Sequence, residues 1–456
     1  MEDLIYASVT GLVQAIQAKE VSSVEVVQAY LERIEAVNPK LNAVVQLVAE
    51  PALGDARLAD AALARGEVKG PLHGVPMTIK DSFETAGIVT TAGTKGLATY
   101  IPKQDATVVA RLRSAGAILL GKTNTPEITL RFATDNYVYG RTNNPYDLER
   151  IPAGSSGGAA AIVAAGGSPF DIGSDTAGSI RFPAHSCGIA GLKPTVGRVP
   201  RTGHIPYLEF GATEAFTQVG PLARYVEDLN LILPIISGVD WRDPMIIPMP
   251  VEYSKLVDLK QLRVATYTDN GVTSPTAETA NVVQAAASTL ADMGAVVDED
   301  RPPHMASAFD LWLAIFRADG GVGVQNLLQE LGTQEMHPFL EWSQEAEAIS
   351  TSEYIQLLAR WNTFRGDSLA FLENYDVIVC PVTTMPATRH DEPTAFDYTR
   401  VYNLLGWPIA VVRCGTSPEG LPIGVQVVTH PWREDVALAA AQHLEKTFGG
   451  WQRPPL

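Results

Sequence analysis

The sequence predicts an α/β fold, in which helices lie on both faces of a sheet with mixed or parallel strands. Three observations predict it. Short apolar runs at 75–79 and 117–120 alternate with helix-like stretches, residues 262–297 read as strand–helix–strand, and β character returns at 377–379 and 423–428 after a largely helical 305–375. At 456 residues the chain has room for one large domain or two of ordinary size. No internal repeat or linker marks a boundary, so one large domain is the simpler reading.

In chain order, the first segment reads as two helices. Ser22-Ser23-Val24-Glu25 has capping-box spacing, and Val27, Tyr30, Leu31 and Ile34 follow on one 3.6-residue face. Asn38-Pro39 is expected to stop that helix. The runs at 75–79 and 117–120 have the length of short strands. Residues 150–200 are rich in Gly, Ser and Ala, but interrupting apolar residues exclude a flexible linker. Leu262-Arg263-Val264-Ala265-Thr266 reads as a strand, about 275–293 as a helix, and Ala295-Val296-Val297 as another strand. Beyond the helical 305–375, Val377-Ile378-Val379 and 423–428 are strands, and a final helix covers about 434–447.

Composition narrows the function. Lys+Arg 34 against Asp+Glu 51 gives a net charge of −17, a surface that repels phosphate backbones and acidic lipid faces. Neither nucleic acid nor membrane is therefore expected as a partner. An apolar fraction of 46% with 19% charged residues excludes a mostly disordered chain. Cys187, Cys380 and Cys414 lie far apart with no CxxC and no Cys/His cluster, so neither a disulfide framework nor a zinc site is expected. Met1-Glu2-Asp3 lacks the basic start of a signal peptide, and no run approaches the ~18 apolar residues of a membrane span. The expectation is a soluble cytoplasmic protein, monomeric or homodimeric.

Two motifs compete for the chemistry. Gly116-Ala117-Ile118-Leu119-Leu120-Gly121-Lys122-Thr123 fits the phosphate-loop pattern G-x-x-x-x-G-K-[ST]. Such a loop needs its interior in a compact turn after a strand has ended. Here the interior is itself a strand candidate, so a non-catalytic nucleotide-binding protein is the weaker reading. The second motif has three parts. Lys80 closes Gly74-Val75-Pro76-Met77-Thr78-Ile79-Lys80, Ser155 and Ser156 sit in Gly154-Ser155-Ser156-Gly157-Gly158, and Ser179 lies in Gly173-Ser174-Asp175-Thr176-Ala177-Gly178-Ser179-Ile180-Arg181. Singly these are a solvated strand end, a flexible turn and a helix N-cap. Together, two glycine-lined serine turns and a strand-end lysine are the parts of a serine nucleophile with a non-histidine base. His73 and His185 flank the motifs, but neither pattern supplies an orienting carboxylate. Cys187, in the apolar stretch 184–189, is expected in the core.

In these motifs the chain resembles the amidase signature family, hydrolases with a Ser-Ser-Lys triad. The resemblance runs from about 70 to 230, weakens through 240–370, and recovers at 375–445 in Tyr375-Asp376-Val377-Ile378 and Asn403-Leu404-Leu405-Gly406-Trp407-Pro408. It implies one domain over 1–456, built on a large mixed sheet, acting on amide-type bonds without metal or organic cofactor. It implies Ser179 as nucleophile, Ser155 as a bridging serine after a cis peptide, and Lys80 as base. The amides of Thr176, Ala177, Gly178 and Ser179 would face the oxyanion, with Ser156, Asp175 and Arg181 as support. Lysine is a base only when neutral, so burial among Val75, Met77 and Ile79 must lower its pKa from ~10.4. The family usually carries glycine where this chain has Ala177, whose methyl group would narrow the oxyanion loop.

Substrate class is less sharply marked. Thr129-Leu130-Arg131-Phe132 replaces a small Gly/Ser segment common in the family's glutamine-using transamidation subunits, and Phe182 replaces a residue often polar there. Both departures argue against membership of such a complex, which would need a partner protein and tRNA. Leu130, Arg131, Phe132, Tyr207 and Phe210 are the candidate pocket residues, with Ile205 and Leu208 nearby. The expected substrate is a small hydrophobic or aryl amide or carbamate.

Overall fold

A computed structural model describes residues 2–208, 211, 215–393 and 398–456. Its strands are β1 (Val44–Leu47), β2 (Pro76–Lys80), β3 (Ile118–Thr123), β4 (Phe170–Asp175), β5 (Ala190–Lys193), β6 (Gln218–Ala223), β7 (Arg263–Thr266), β8 (Val296–Glu299), β9 (Val377–Pro381), β10 (Ile409–Thr416) and β11 (Pro422–Thr429). Eight of them form a sheet in the order β4-β6-β5-β10-β11-β9-β7-β8. Neighbours run antiparallel from β4 to β9, whereas β7 is parallel to both β9 and β8. The sheet is mixed, as expected.

Both faces of this sheet are buried at its centre, and alternation along β9 shows why. Val377 and Val379 enter one apolar cluster with Val283 and Leu290 of the helix Ala277–Asp292 and Leu444 of the helix Glu434–Phe448. Ile378 and Cys380 point the other way, into a second cluster with Trp312 and Ile315 of the helix Met305–Phe316. Successive strand side chains face opposite ways, so a continuous apolar run means cover on both sides.

Several expectations need correction. The amino-terminal segment forms three helices, Glu2–Tyr6, Val9–Gln17 and Ser23–Leu41. Ser22 and Glu25 form the capping box, but the third helix continues through Pro39. The Asn38 side chain accepts the Ala43 and Val44 N–H groups at 2.8 Å each, while Asn42 turns left-handed at φ 50° and ends the helix. The sheet is also not the only one. β1, β3 and β2 form a separate three-stranded sheet, joined to the larger one where the Thr78 and Thr123 hydroxyls donate to Asp171 of β4 at 2.6 and 3.0 Å.

The phosphate-loop reading fails on the same sheet. β3 runs through Gly121, Lys122 and Thr123, which pair with Leu47, Gln46 and Val44 of β1. A Cβ on Gly121 would lie 2.2 Å from the Gln46 carbonyl oxygen, so glycine here serves close strand pairing. The buried Lys122 ammonium donates to the Phe83 carbonyl at 2.6 Å and to Thr90 Oγ1 at 2.8 Å, and lies 3.4 Å from Asp81. No turn of inward-facing amides exists in this stretch. Cys187, Cys380 and Cys414 are free and buried. Among the described residues no metal-ligating cluster occurs, and no helix is long and apolar enough to cross a membrane.

Candidate active site

Three chain segments meet where the two sheets join. β2 delivers Lys80 at its last position, fully buried. The turn before the helix Gly157–Ala164 delivers Ser155, whose peptide bond to Gly154 is cis. Lys80 Nζ lies 2.7 Å from Ser155 Oγ. The glycines of this turn permit close approach: a Cβ on Gly157 would lie 2.3 Å from Thr134 Oγ1, and one on Gly158 2.4 Å from the Asn124 backbone nitrogen. Ser156 fastens the turn to the third segment, its N–H donating to the Ser179 carbonyl at 3.2 Å and its hydroxyl to the Ser174 carbonyl at 3.4 Å.

The third segment links β4 to the helix Arg181–Ser186. Asp175 organises it. One carboxylate oxygen accepts the Gly178 N–H at 2.8 Å and the other accepts the Ile180 N–H at 3.1 Å. Arg181 clamps the same carboxylate with two bonds of 2.9 Å, and Asn403 Nδ2 donates to it at 2.9 Å. Burial raises the Asp175 pKa, but Arg181, Lys193 and Asn403 outweigh it and hold the group below the ordinary carboxylate range. The loop therefore closes on a permanently charged anion.

This clamp corrects one expectation. The Gly178 N–H is already committed to Asp175, so it does not face an oxyanion. Among the described residues the N–H groups of Thr176, Ala177 and Ser179 donate to no other group. Gly178 instead supplies the turn, at φ 132°, where a Cβ would lie 2.6 Å from Thr399 Oγ1. Thr399 in turn donates to the Ala177 carbonyl at 2.5 Å.

Ser179 opens onto a cavity of about 520 Å³, together with Thr176 and Ala177. Its hydroxyl makes no side-chain hydrogen bond among the described residues; the segment touches the Ser155 turn through backbone. Leu130, Arg131 and Phe132 line the cavity, facing Trp312, Phe316 and Trp342. Arg400 lies over the Phe132 and Trp312 rings, 5.4 and 5.0 Å from their centroids. Phe182 does not reach the cavity; it is buried beside Phe132, with ring centroids 6.4 Å apart. Tyr207 is a further correction. It packs with the Leu97, Ile128 and Ile205 cluster and donates to Glu84 at 3.2 Å, away from this cavity. Phe210 lies outside the described residues.

Electrostatics suit a neutral amine. Burial pulls the Lys80 pKa down to about 7, against the opposing pull of Asp175 and Asp171. Burial likewise pushes Asp171 up to about 7 despite its threonine hydrogen bonds. The flanking histidines take no part. His73 bonds the Lys69 and Ala59 backbone, and His185 sits between Gly424 and Met385, pulled down to about 4 by burial.

Two contacts have no counterpart in the sequence motifs. Ser174 Oγ lies 2.9 Å from Lys80 Nζ, and His204 Nε2 lies 2.8 Å from Ser174 Oγ. Ser174 adjoins Asp175 within the glycine-lined motif, which is the signal that could have found it. His204 has no local signal, because it arrives from a separate loop.

A protein-family model described as Amidase matches residues 25–438. A glutamyl-tRNA(Gln) amidotransferase subunit from Moorella thermoacetica is 35% identical, with 99% of each chain covered. Fatty-acid amide hydrolase 2 from Homo sapiens is also 35% identical, covering 99% of this chain and 91% of the relative. Among solved structures, a bacterial aryl acylamidase of the amidase signature enzymes superposes with a TM-score of 0.86 at 26% identity, covering 97% of this chain and 96% of the other.

Proposed function

The chain belongs to the amidase family, hydrolases of carbon–nitrogen bonds, and on that premise we propose a small-molecule amidase or carbamate hydrolase working through Lys80, Ser155 and Ser179. The observation that carries this reading is the buried Lys80 amine, 2.7 Å from Ser155 Oγ, in a turn whose next residue, Ser156, bonds the Ser179 carbonyl, while Ser179 itself lines the cavity.

Neutral Lys80 takes the Ser155 proton while Ser155 takes that of Ser179, whose Oγ attacks the substrate carbonyl. The N–H groups of Thr176, Ala177 and Ser179 meet the developing oxyanion, an important donor being worth about 3–4 kcal/mol. The proton returns through Ser155 to the departing nitrogen, the C–N bond breaks, and an acyl-Ser179 ester remains. Water, deprotonated through the same relay, then releases the acid and restores the serine. The contact between the Ser179 and Ser155 hydroxyls that this relay requires is of the kind that tightens when substrate binds.

The cavity walls support a substrate class. Leu130 and Phe132 face Trp312, Phe316 and Trp342, a set that favours an aryl or other apolar group beside the scissile bond. Within this reading 1–456 acts as one catalytic unit. Residues 70–230 hold the reacting groups, and 240–370 supply the aromatic wall.

A fluorophosphonate probe tests the assignment. Labelling is expected at Ser179, absent in Ser179→Ala and strongly slowed in Lys80→Ala; labelling that persists in Ser179→Ala overturns it. Short aryl amides and carbamates assayed beside glutamine test the substrate class. The likeness to the amidotransferase favours a second reading, a glutamine-hydrolysing component of a larger complex. Ammonia release from glutamine only with a co-purified partner, and no aryl turnover, would establish that alternative.

A further inference from the structure

A neutral primary amine has two N–H donors and one lone pair. Lys80 Nζ touches two hydroxyls, Ser155 Oγ at 2.7 Å and Ser174 Oγ at 2.9 Å. Either could fill the lone pair, and only one choice is productive. If Ser174 donates to the amine, Ser155 must accept from it and has no route for its own proton. The buried His204 removes this ambiguity. Its Nδ1 lies 3.3 Å from the Pro206 carbonyl, which can only accept, so in the neutral ring Nδ1 carries the hydrogen and Nε2 is the acceptor. Nε2 lies 2.8 Å from Ser174 Oγ, so the single Ser174 hydrogen goes to the ring. Only lone pairs remain on Ser174 to face Lys80.

We infer that His204 is a positioning residue that, through Ser174, makes Lys80 a donor on one side and keeps its lone pair for Ser155. The inference rests on the reading of Lys80 as the base. Surroundings keep the ring neutral. Burial takes its pKa well below the ordinary value, and the Lys80 and Arg201 charges push in the same direction. The Phe83 ring packs on it at 4.9 Å between centroids, an apolar contact that holds the imidazole plane. The chain His204–Ser174–Lys80–Ser155 thus has one polarity from end to end, and only the last hydroxyl donates into the amine.

Two substitutions at one site separate positioning from packing. His204→Asn keeps a donor near Nδ1 for the Pro206 carbonyl but is too short to accept from Ser174. His204→Gln places an amide oxygen near Nε2 and keeps that acceptor. Steady-state hydrolysis of an aryl amide is measured for both, for Ser174→Ala, and for the double variant His204→Asn/Ser174→Ala. His204→Asn is expected to lower kcat about ten- to hundred-fold at unchanged KM, part of the 10²–10⁴ a positioned base contributes. His204→Gln should recover most of the loss. On the Ser174→Ala background His204→Asn should add almost nothing, since no hydroxyl is left to misdirect. Equal losses on both backgrounds, equal losses for Asn and Gln, or a change confined to KM would overturn the inference. Lys80→Ala is the control. If it retains full activity the reading of the base fails, whereas a dead Lys80→Ala beside an unaffected His204→Asn removes the role of His204 alone.

Discussion

Raising the pH from 6 to 8 should increase kcat/KM about tenfold and then level off, because the working form of Lys80 is the uncharged one. The magnitude follows from burial. Lys80 has no exposed surface, so its ammonium loses hydration that the remote carboxylates of Asp175 and Asp171 only partly replace. The result is a displacement from 10.5 to about 7, equivalent to about 5 kcal/mol at ~1.4 kcal/mol per pH unit. With that midpoint, about one tenth of the enzyme holds a neutral amine at pH 6, about half at pH 7 and about nine tenths at pH 8. An ordinary lysine would be neutral in only about 0.03% of molecules at pH 7. The assay is kcat/KM for an uncharged aryl amide across this range, which reports groups titrating in the free enzyme. The sign for stability follows as well. The folded value lies below the unfolded one, so this group's contribution to stability rises as pH climbs from about 7 to 10.5. Lys80→Met should abolish turnover yet raise Tm at pH 6. A flat profile, or an acid limb centred above pH 9, would refute the buried neutral base.

Asp171 favours the Lys80 charge, so Asp171→Asn should move the acid limb to lower pH; an alkaline shift in the kcat/KM profile would contradict that coupling. Arg181→Met leaves the Asp175 carboxylate buried without its cation, a change that typically costs about 3–5 kcal/mol and should appear as a lowered denaturation midpoint. Asp175 titrates below its unfolded value, so its own stabilisation is present at neutral pH and is lost as pH falls. Gly178→Ala would press a methyl group against Thr399 at φ 132°, and kcat should drop more than thermal stability. Finally, burial raises the thiol pKa of Cys187, Cys380 and Cys414, so an aromatic disulfide reagent should label none of them in the native protein and all of them after unfolding.

Local signals in the sequence sufficed for elements that stand alone. The capping box at Ser22, the strand ending in Lys80 and the helix near 275–293 each carry their evidence within a few residues. β4, β5, β6 and β10 were not legible. β4 reads Phe-Asp-Ile-Gly-Ser-Asp, without the sustained alternation that marks a half-buried strand, because both its faces are buried and its polar side chains find their partners in tertiary contacts. Asp171 is the example: nothing local explains a carboxylate in a strand, yet the Thr78 and Thr123 hydroxyls from another sheet both donate to one of its oxygens.

The same physics separates the site residues that sequence reached from those it did not. Asp175 and Arg181 sit six positions apart, so their pairing is nearly local and the motif exposes it. Which amides stay free is decided by that pairing. Asp175 takes the Gly178 N–H and leaves those of Thr176, Ala177 and Ser179, and no inspection of Gly-Ser-Asp-Thr-Ala-Gly-Ser could rank them. His204 lies further still from local inference. It reaches Ser174 across thirty residues, from a loop whose other residues, Ile205 and Tyr207, pack elsewhere. A motif names the groups that react. The hydrogen-bond polarity that makes one lysine lone pair face one serine is a property of the folded network, and residue 204 is where that network acquires its direction.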